Sequence, residues 1–324
     1  MRLDVAAVAA LLWCFTGATA LAQTDADVEW SVPARLASRG LMLDATRAGD
    51  AIVAVGERGL ILISEDRGQT WTQVRVPTRA TLTGVWFHDR QRGWAVGHDA
   101  VILRTTDGGE SWTLVQSEPD DEVPFLDVWF SDAENGMAIG AYGLFYVTSD
   151  GGQTWDEERV SEDDDFHLNQ IAASGTGRLY IAAEAGTVYR SDDGGTSWTL
   201  LDPGYPGSLF GVLPLEGDEV LLYGLRGHLF RSEDAGETWT AVETGTTAML
   251  NGGVRLEDGR IVIVGLGGAV LFSRDGGRSF AIHGRPNRAG IQQAVPIGGG
   301  QLILAGEFGV LALAADELES SEGR

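Results

Sequence analysis

The sequence predicts an all-β chain folded into a seven-bladed β-propeller. Three observations predict it: a turn motif repeated at a blade-length interval, a glycine-marked hairpin repeated in phase with it, and short β-rich runs between the two. The motif is [Ser/Thr]-x-Asp-x-Gly-x-x-[Trp/Phe]. It begins at Ser64, Thr105, Thr148, Ser191, Ser232 and Ser273, and its aspartates Asp66, Asp107, Asp150, Asp193, Asp234 and Asp275 lie 41, 43, 43, 41 and 41 residues apart.

Each unit reads as four strands. In the second, the runs are Leu82 to Phe87, Gly93 to Val96, Val101 to Thr105 and Trp112 to Val115, β-branched or aromatic in character and separated by glycine or aspartate. Ten residues before each motif aspartate stands a Gly-x-x-Gly-like tetrad, starting at Gly56, Gly97, Gly140, Ala183, Gly224 and Gly265. A seventh copy starts at Gly306. Small residues there suit the positive φ angles of a tight two-residue hairpin between the second and third strands, so seven blades are expected. The seventh has no motif and no outer strand of its own. Val28 to Pro33 resembles the outer strands, as in Trp71 to Pro77, so this N-terminal strand is expected to close the ring as the outer strand of the last blade.

Within the motif the aspartate is expected to accept backbone amides, the glycine to take a conformation other residues resist, and the ring to pack between blades. Ser or Thr two positions earlier can add a local hydrogen bond. One acid per turn is too few oxygens for calcium. His88, His98, His167, His228 and His283 are scattered without metal-ligand spacing. Neither a metal nor a cofactor is expected.

Residues 1–22 read as a signal peptide, with Arg2, an apolar run from Val5 to Phe15 and Ala20-Leu21-Ala22 before Gln23. The run is too short to span a bilayer, so no stable membrane insertion is expected. Cys14, the single cysteine, lies within it, which leaves residues 23–315, the propeller, to hold by burial alone. Residues 316–324 form an acidic C-terminal tail, expected to be solvated. The formal charge is −24, from 47 acids against 23 bases, all of them arginine. Such an excess argues against nucleic-acid and anionic-lipid partners and otherwise suits solubility.

With these repeats in place the chain resembles the bacterial neuraminidase-repeat, or Asp-box, propeller superfamily. Within it the likeness is to the photosystem II stability and assembly factor family, carried by Gly93-Trp94-Ala95-Val96-Gly97 and by Arg104 to Trp112. The resemblance implies a non-enzymatic propeller, exported to the periplasm or, in an oxygenic phototroph, the thylakoid lumen. There it would bind a membrane-protein subunit or precursor, notably D1, as an assembly scaffold. In a non-photosynthetic bacterium it implies an envelope scaffold, such as an accessory protein of a transport complex. The family is associated with an arginine-rich patch, whereas this chain is acidic overall. A monomer is expected.

Hairpins and blade-to-blade connections open on one face, and the repeated motifs on the other. On the first face Arg35, Arg39, Arg58, Arg79, Arg285 and Arg288 form a candidate partner-binding sector, opposed by Glu118 to Glu122 and Glu162 to Asp165. Tyr142, Tyr205 and Phe308 are candidate exposed anchors at loop tips. Arginine holds carboxylates by paired hydrogen bonds, which suits an acidic or polar segment. The enzyme alternative is a sialidase-like glycoside hydrolase, which needs paired acids and an arginine trio. The inner-strand runs are mostly apolar, offer Asp127 as their one obvious acid and show no such trio, so no catalytic residue is assigned.

Overall fold

Seven antiparallel sheets form from consecutive stretches of chain, each a meander in which sequence neighbours are sheet neighbours. The computed structural model describes residues 28–285 and 287–320; the signal peptide expected at 1–22 and the end of the acidic tail lie outside the described residues. Blades 1 to 6 span 42–74, 82–116, 125–158, 168–201, 209–241 and 250–284, with four strands each, and blade 7 spans 291–314 with three. The all-β, seven-bladed expectation holds.

Burial follows position within the blade. Second strands such as Ala51–Gly56 and Ile261–Gly265 are buried at every residue, because blades cover them on both faces. Outer strands such as Asp156–Glu158 are exposed. Seven separate apolar clusters result, one at each interface between adjacent blades. Six of them contain a motif ring: Trp71, Trp112, Trp155, Trp198, Trp239 or Phe280. The cluster between blades 6 and 7 has none and uses Phe308, Leu313 and Ala315 instead.

The repeated turn is a closed hydrogen-bond unit. In blade 4 the Ser191 hydroxyl donates to Asp193 Oδ1 at 2.8 Å and accepts from the Gly195 amide at 2.8 Å. The Ser197 amide and hydroxyl donate to the two oxygens of Asp193, at 2.9 and 2.6 Å. These donors hold Asp193 down at about 2, the Ser197 hydroxyl contributing most.

Two sequence expectations are corrected. The hairpins of blades 1 to 6 hold three residues rather than two: Gly56 pairs with Leu60 around Glu57–Gly59, and both Arg58 (φ 56°) and Gly59 (φ 68°) are left-handed. The first glycine serves close approach instead of a left-handed turn. Gly56 is extended, and a Cβ on it would stand 2.0 Å from the Leu41 carbonyl oxygen.

The second correction concerns ring closure. Among the described residues blade 7 gains no outer strand, and Val28 to Pro33 does not join it. The segment runs antiparallel along the outer edge of blade 1: the Ser31 amide donates to Val76 O at 2.8 Å, the Val76 amide to Ser31 Oγ at 2.9 Å and the Ala34 amide to Gln73 Oε1 at 2.7 Å. Arg75 lies over the Trp30 ring, 4.6 Å from its centroid. Ser31, Gln73 and Arg75 thus give the segment specific partners on blade 1, a choice that outer-strand composition alone does not reveal. The ring closes through side chains: Met42, Ala45 and Ile52 of blade 1 pack with Val295, Ile303 and Ala305 of blade 7. The tail also begins in a short helix, Ala315–Ser320, with Asp316 bonded to Arg260 at 2.7 Å.

Candidate partner-binding face and central channel

One contact recurs around the ring and builds the hairpin face: each hairpin tip leans on the connection leaving its own blade. The Gly59 amide donates to Ala80 O at 2.8 Å, Ala100 to Val123 O at 2.8 Å and Gly143 to Phe166 O at 2.9 Å. In blade 6 the Arg285 amide donates to Gly268 O at 3.0 Å. In blade 7, Gly309 is so close to residues 38 and 39 that a Cβ would stand 2.0 Å from Ser38 O.

These contacts bring several of the loops that carry the expected arginines against one another. Arg285 and Arg288 adjoin the blade 6 hairpin at Gly268, and Arg285 covers the Phe308 ring of the blade 7 hairpin at 4.5 Å. That hairpin touches Arg39, and the blade 1 hairpin carrying Arg58 leans on the connection that holds Arg79. Arg35, Arg39, Arg58, Arg79 and Arg288 are exposed. Arg226, which the sequence reading missed, is exposed at the blade 5 hairpin tip. It occupies the place in Gly224-Leu225-Arg226-Gly227 that Arg58 occupies in blade 1, which is the signal that marks it.

Pairing differs between the two faces, although Arg47, Arg67 and Arg104 beside the repeated turns also lack a carboxylate partner among the described residues. On the repeated-turn face Arg178, Arg190, Arg231 and Arg278 are knitted to Asp192, Asp218, Glu219, Glu233 and Glu237. Among the described residues none of Arg35, Arg39, Arg58, Arg226, Arg285 and Arg288 pairs with a carboxylate, and Arg79 bonds only the Trp30 carbonyl, at 2.9 Å. Arg285 is half-buried; burial lowers its pKa, and its Nη1 has no hydrogen-bond partner among the described residues.

Of the three expected anchors only Tyr142 is exposed, at 66%, and it lies beside the acidic connection, edge-on to His167. Tyr205 is a packed residue: its hydroxyl donates to Leu225 O at 3.1 Å and its ring stacks near His228 and Phe230. Phe308 is half-buried under Arg285. Both rings are drawn in because each hairpin seats on a connection, leaving apolar surface there to cover.

The other concave feature is the channel along the ring axis. Each inner strand carries a register shift, as at Met42/Asp44 and Leu168/Gln170, and in every blade but the fifth a polar residue there reaches the following blade. Asp44 accepts from the Val85 amide of blade 2 at 2.9 Å, Asp127 from the Ile171 amide of blade 4 at 3.0 Å and Gln170 from the Val212 amide of blade 5 at 2.9 Å. Gln293 of blade 7 donates to Asp44 at 3.2 Å. Burial lifts Asp44 to about 6; burial and then the charge of Asp44 lift Asp127 to about 8. Asp44 escaped the sequence reading, although Leu43-Asp44-Ala45 matches Leu126-Asp127-Val128. Both acids clip blades together, and no arginine side chain lines the channel among the described residues. Among those residues, too, no helix is long and apolar enough to cross a membrane, and no His, Cys, Asp or Glu cluster has the form of a metal site.

The fold defines a seven-bladed β-propeller of four-stranded antiparallel blades, the last with three strands among the described residues. The model of the photosynthesis system II assembly factor YCF48 family matches residues 63–125 and 115–294, and the chain belongs to that family. Among solved structures, YCF48 bound to D1 peptide is similar with TM-score 0.69 and 19% identity, over 85% of this chain and 91% of that one. YCF48 from Cyanidioschyzon merolae gives TM-score 0.68 and 18% identity, over 89% and 99%. The WD40 propeller domain of Doa1, at TM-score 0.67 and 12% identity over 84% and 92%, shares the fold. No curated protein matches the chain in sequence.

Proposed function

We propose that this protein is a non-catalytic, exported binding and assembly scaffold. It acts as a monomer and presents its hairpin face to an acidic or polar segment of a membrane-protein subunit or precursor. The observation that supports this most is a set of arginines on the hairpin face that have no carboxylate partner among the described residues, in a chain of formal charge −24. Such guanidiniums cost little to leave in water and gain paired hydrogen bonds when a carboxylate arrives. The rigid blades hold them in place, so little order is lost on this side of the interface. Family membership points the same way, since a similar YCF48 has been solved with a D1 peptide bound.

Crosslinking capture from the native envelope tests the reading. Arg58→Glu with Arg288→Glu is expected to abolish capture of a membrane protein while leaving thermal unfolding unchanged, because both side chains are exposed. Capture that survives the double reversal overturns it.

A further inference from the structure

Among the described residues blade 7 stops one strand short. Its last strand, Gly309–Ala314, receives no backbone hydrogen bond from outside the sheet among the described residues. In most other blades the third strand is almost wholly buried, as in Val101–Thr105 and Ala269–Ser273, and in none does it hold an exposed residue, whereas here Leu311 is 37% exposed. An apolar edge of this kind is a template for another strand. We propose that blade 7 is completed by an extended segment of a partner protein, apolar along its length and bearing carboxylates at its C-terminal end, which adds as a fourth strand.

Width, direction and charge define that occupant. Blade 6 has its outer strand Ala281–Gly284 and blade 1 its outer strand Thr72–Val74, the latter covered in turn by residues 30–34. The edge of blade 7 is therefore recessed by about one strand spacing, ~4.8 Å. A second copy of the chain presents its own edge in the same recess, so two propellers cannot bring these edges into contact, whereas a single extended segment enters. Gly309 lies at the hairpin face, so an antiparallel strand runs toward that face with its C-terminal end leading. There it meets Arg39, whose Cα is 2.6 Å from the Cβ position of Gly309, and Arg285, whose Nη1 is buried and unpaired among the described residues. Asp316 stands at the other end of the edge, where a carboxylate would be repelled. The chain's own segment at residues 30–34 is already engaged on blade 1 through Ser31, Gln73 and Arg75.

This inference rests on the reading of the chain as a partner-binding propeller, yet its test needs no natural partner. The full chain is extended at Arg324 by a flexible glycine-serine linker and an alternating threonine-valine strand that ends in two aspartates, with a proline-interrupted strand as control. The added strand is expected to raise Tm by on the order of 5 °C and to slow amide exchange in residues 309–314 at least about tenfold, and the control to do neither. Arg285→Gln should reduce the gain. No change with the added strand overturns the inference. So does slow exchange of these amides in the unextended protein, which would mean that the chain or a second copy already covers the edge. Strand addition that succeeds while envelope capture fails would sink the proposed function and keep the edge; the reverse result would do the opposite.

Discussion

Asp44 and Asp127 face one channel from blades 1 and 3, and each accepts the backbone amide of the following blade, from Val85 at 2.9 Å and from Ile171 at 3.0 Å. Two acids that would both be charged at neutral pH in water are thus placed where burial and their mutual repulsion favour the protonated form. They fasten the ring by accepting amides, which a protonated carboxyl still does.

The pH dependence of stability follows from these positions. Both folded-state pKa values lie above the ordinary 3.8, at about 6 for Asp44 and about 8 for Asp127. Their contribution is therefore complete below about pH 4 and is lost as pH rises through 6 and then 8. Denaturant midpoints measured from pH 4 to 9 are expected to fall over that interval. Asp127→Asn should flatten the fall above pH 6, at a cost of about 1 kcal/mol at pH 5 for the amide bond it weakens. An Asp127→Asn midpoint as pH-dependent as that of the parent would refute the assignment.

The repeated turns titrate in the opposite sense. Asp66, Asp150, Asp193, Asp234 and Asp275 are held at about 2, so what their ionised forms contribute is present above about pH 4 and disappears as pH falls through 2. Ser191→Ala removes both the donor to Asp193 and the acceptor for the buried Gly195 amide. It is expected to cost about 1–3 kcal/mol in denaturant titration, because a buried donor is left unmatched.

Much of this architecture is legible in the sequence because its local signals recur in phase. The Asp-x-Gly-x-x-Trp spacing marks each turn, and the run Leu82–Phe87 is an inner strand as written. What the sequence concealed depends on which of two neighbours a residue meets. Residues 30–34 have the composition of an outer strand, but Ser31 and Gln73 decide that they lie on blade 1. Tyr205 looked like a loop-tip anchor until the seating of its connection buried the ring against His228. Asp44 was hidden because its partner, Val85, is 41 residues away.

Glycines of the hairpins and connections separate into two kinds that mutation can distinguish. A Cβ at Gly140 would stand 2.3 Å from the Pro124 carbonyl oxygen, a clash with backbone that no side-chain rotation relieves. At Gly204, with φ 73°, a Cβ would have nothing within 4 Å. Gly204→Ala is expected to cost about 1–2 kcal/mol, the usual penalty for a left-handed residue. Gly140→Ala should exceed it by forcing blade 3 away from its own inner strand. Thermal melts of the two variants side by side test the order.

The seam between blades 7 and 1 has no shared strand among the described residues, so it depends on interlocking side chains more than a ring fastened by a shared outer strand would. Ile303 is its centre: fully buried, it packs among Ala45, Ile52 and Val295, and its Cδ1 fills the space where a Cβ on Gly68 would lie, 2.3 Å away. Ile303→Ala removes that plug and is expected to cost about 2–5 kcal/mol, the range for a large-to-small change that leaves a cavity. Because the seam is where the ring can open, the same variant should speed amide exchange in Met42–Ala48 and Ile291–Gly298 together, while Phe125–Phe130 across the ring stays protected. Uniform acceleration in all seven inner strands would show instead that the ring opens everywhere at once and that the seam has no special role.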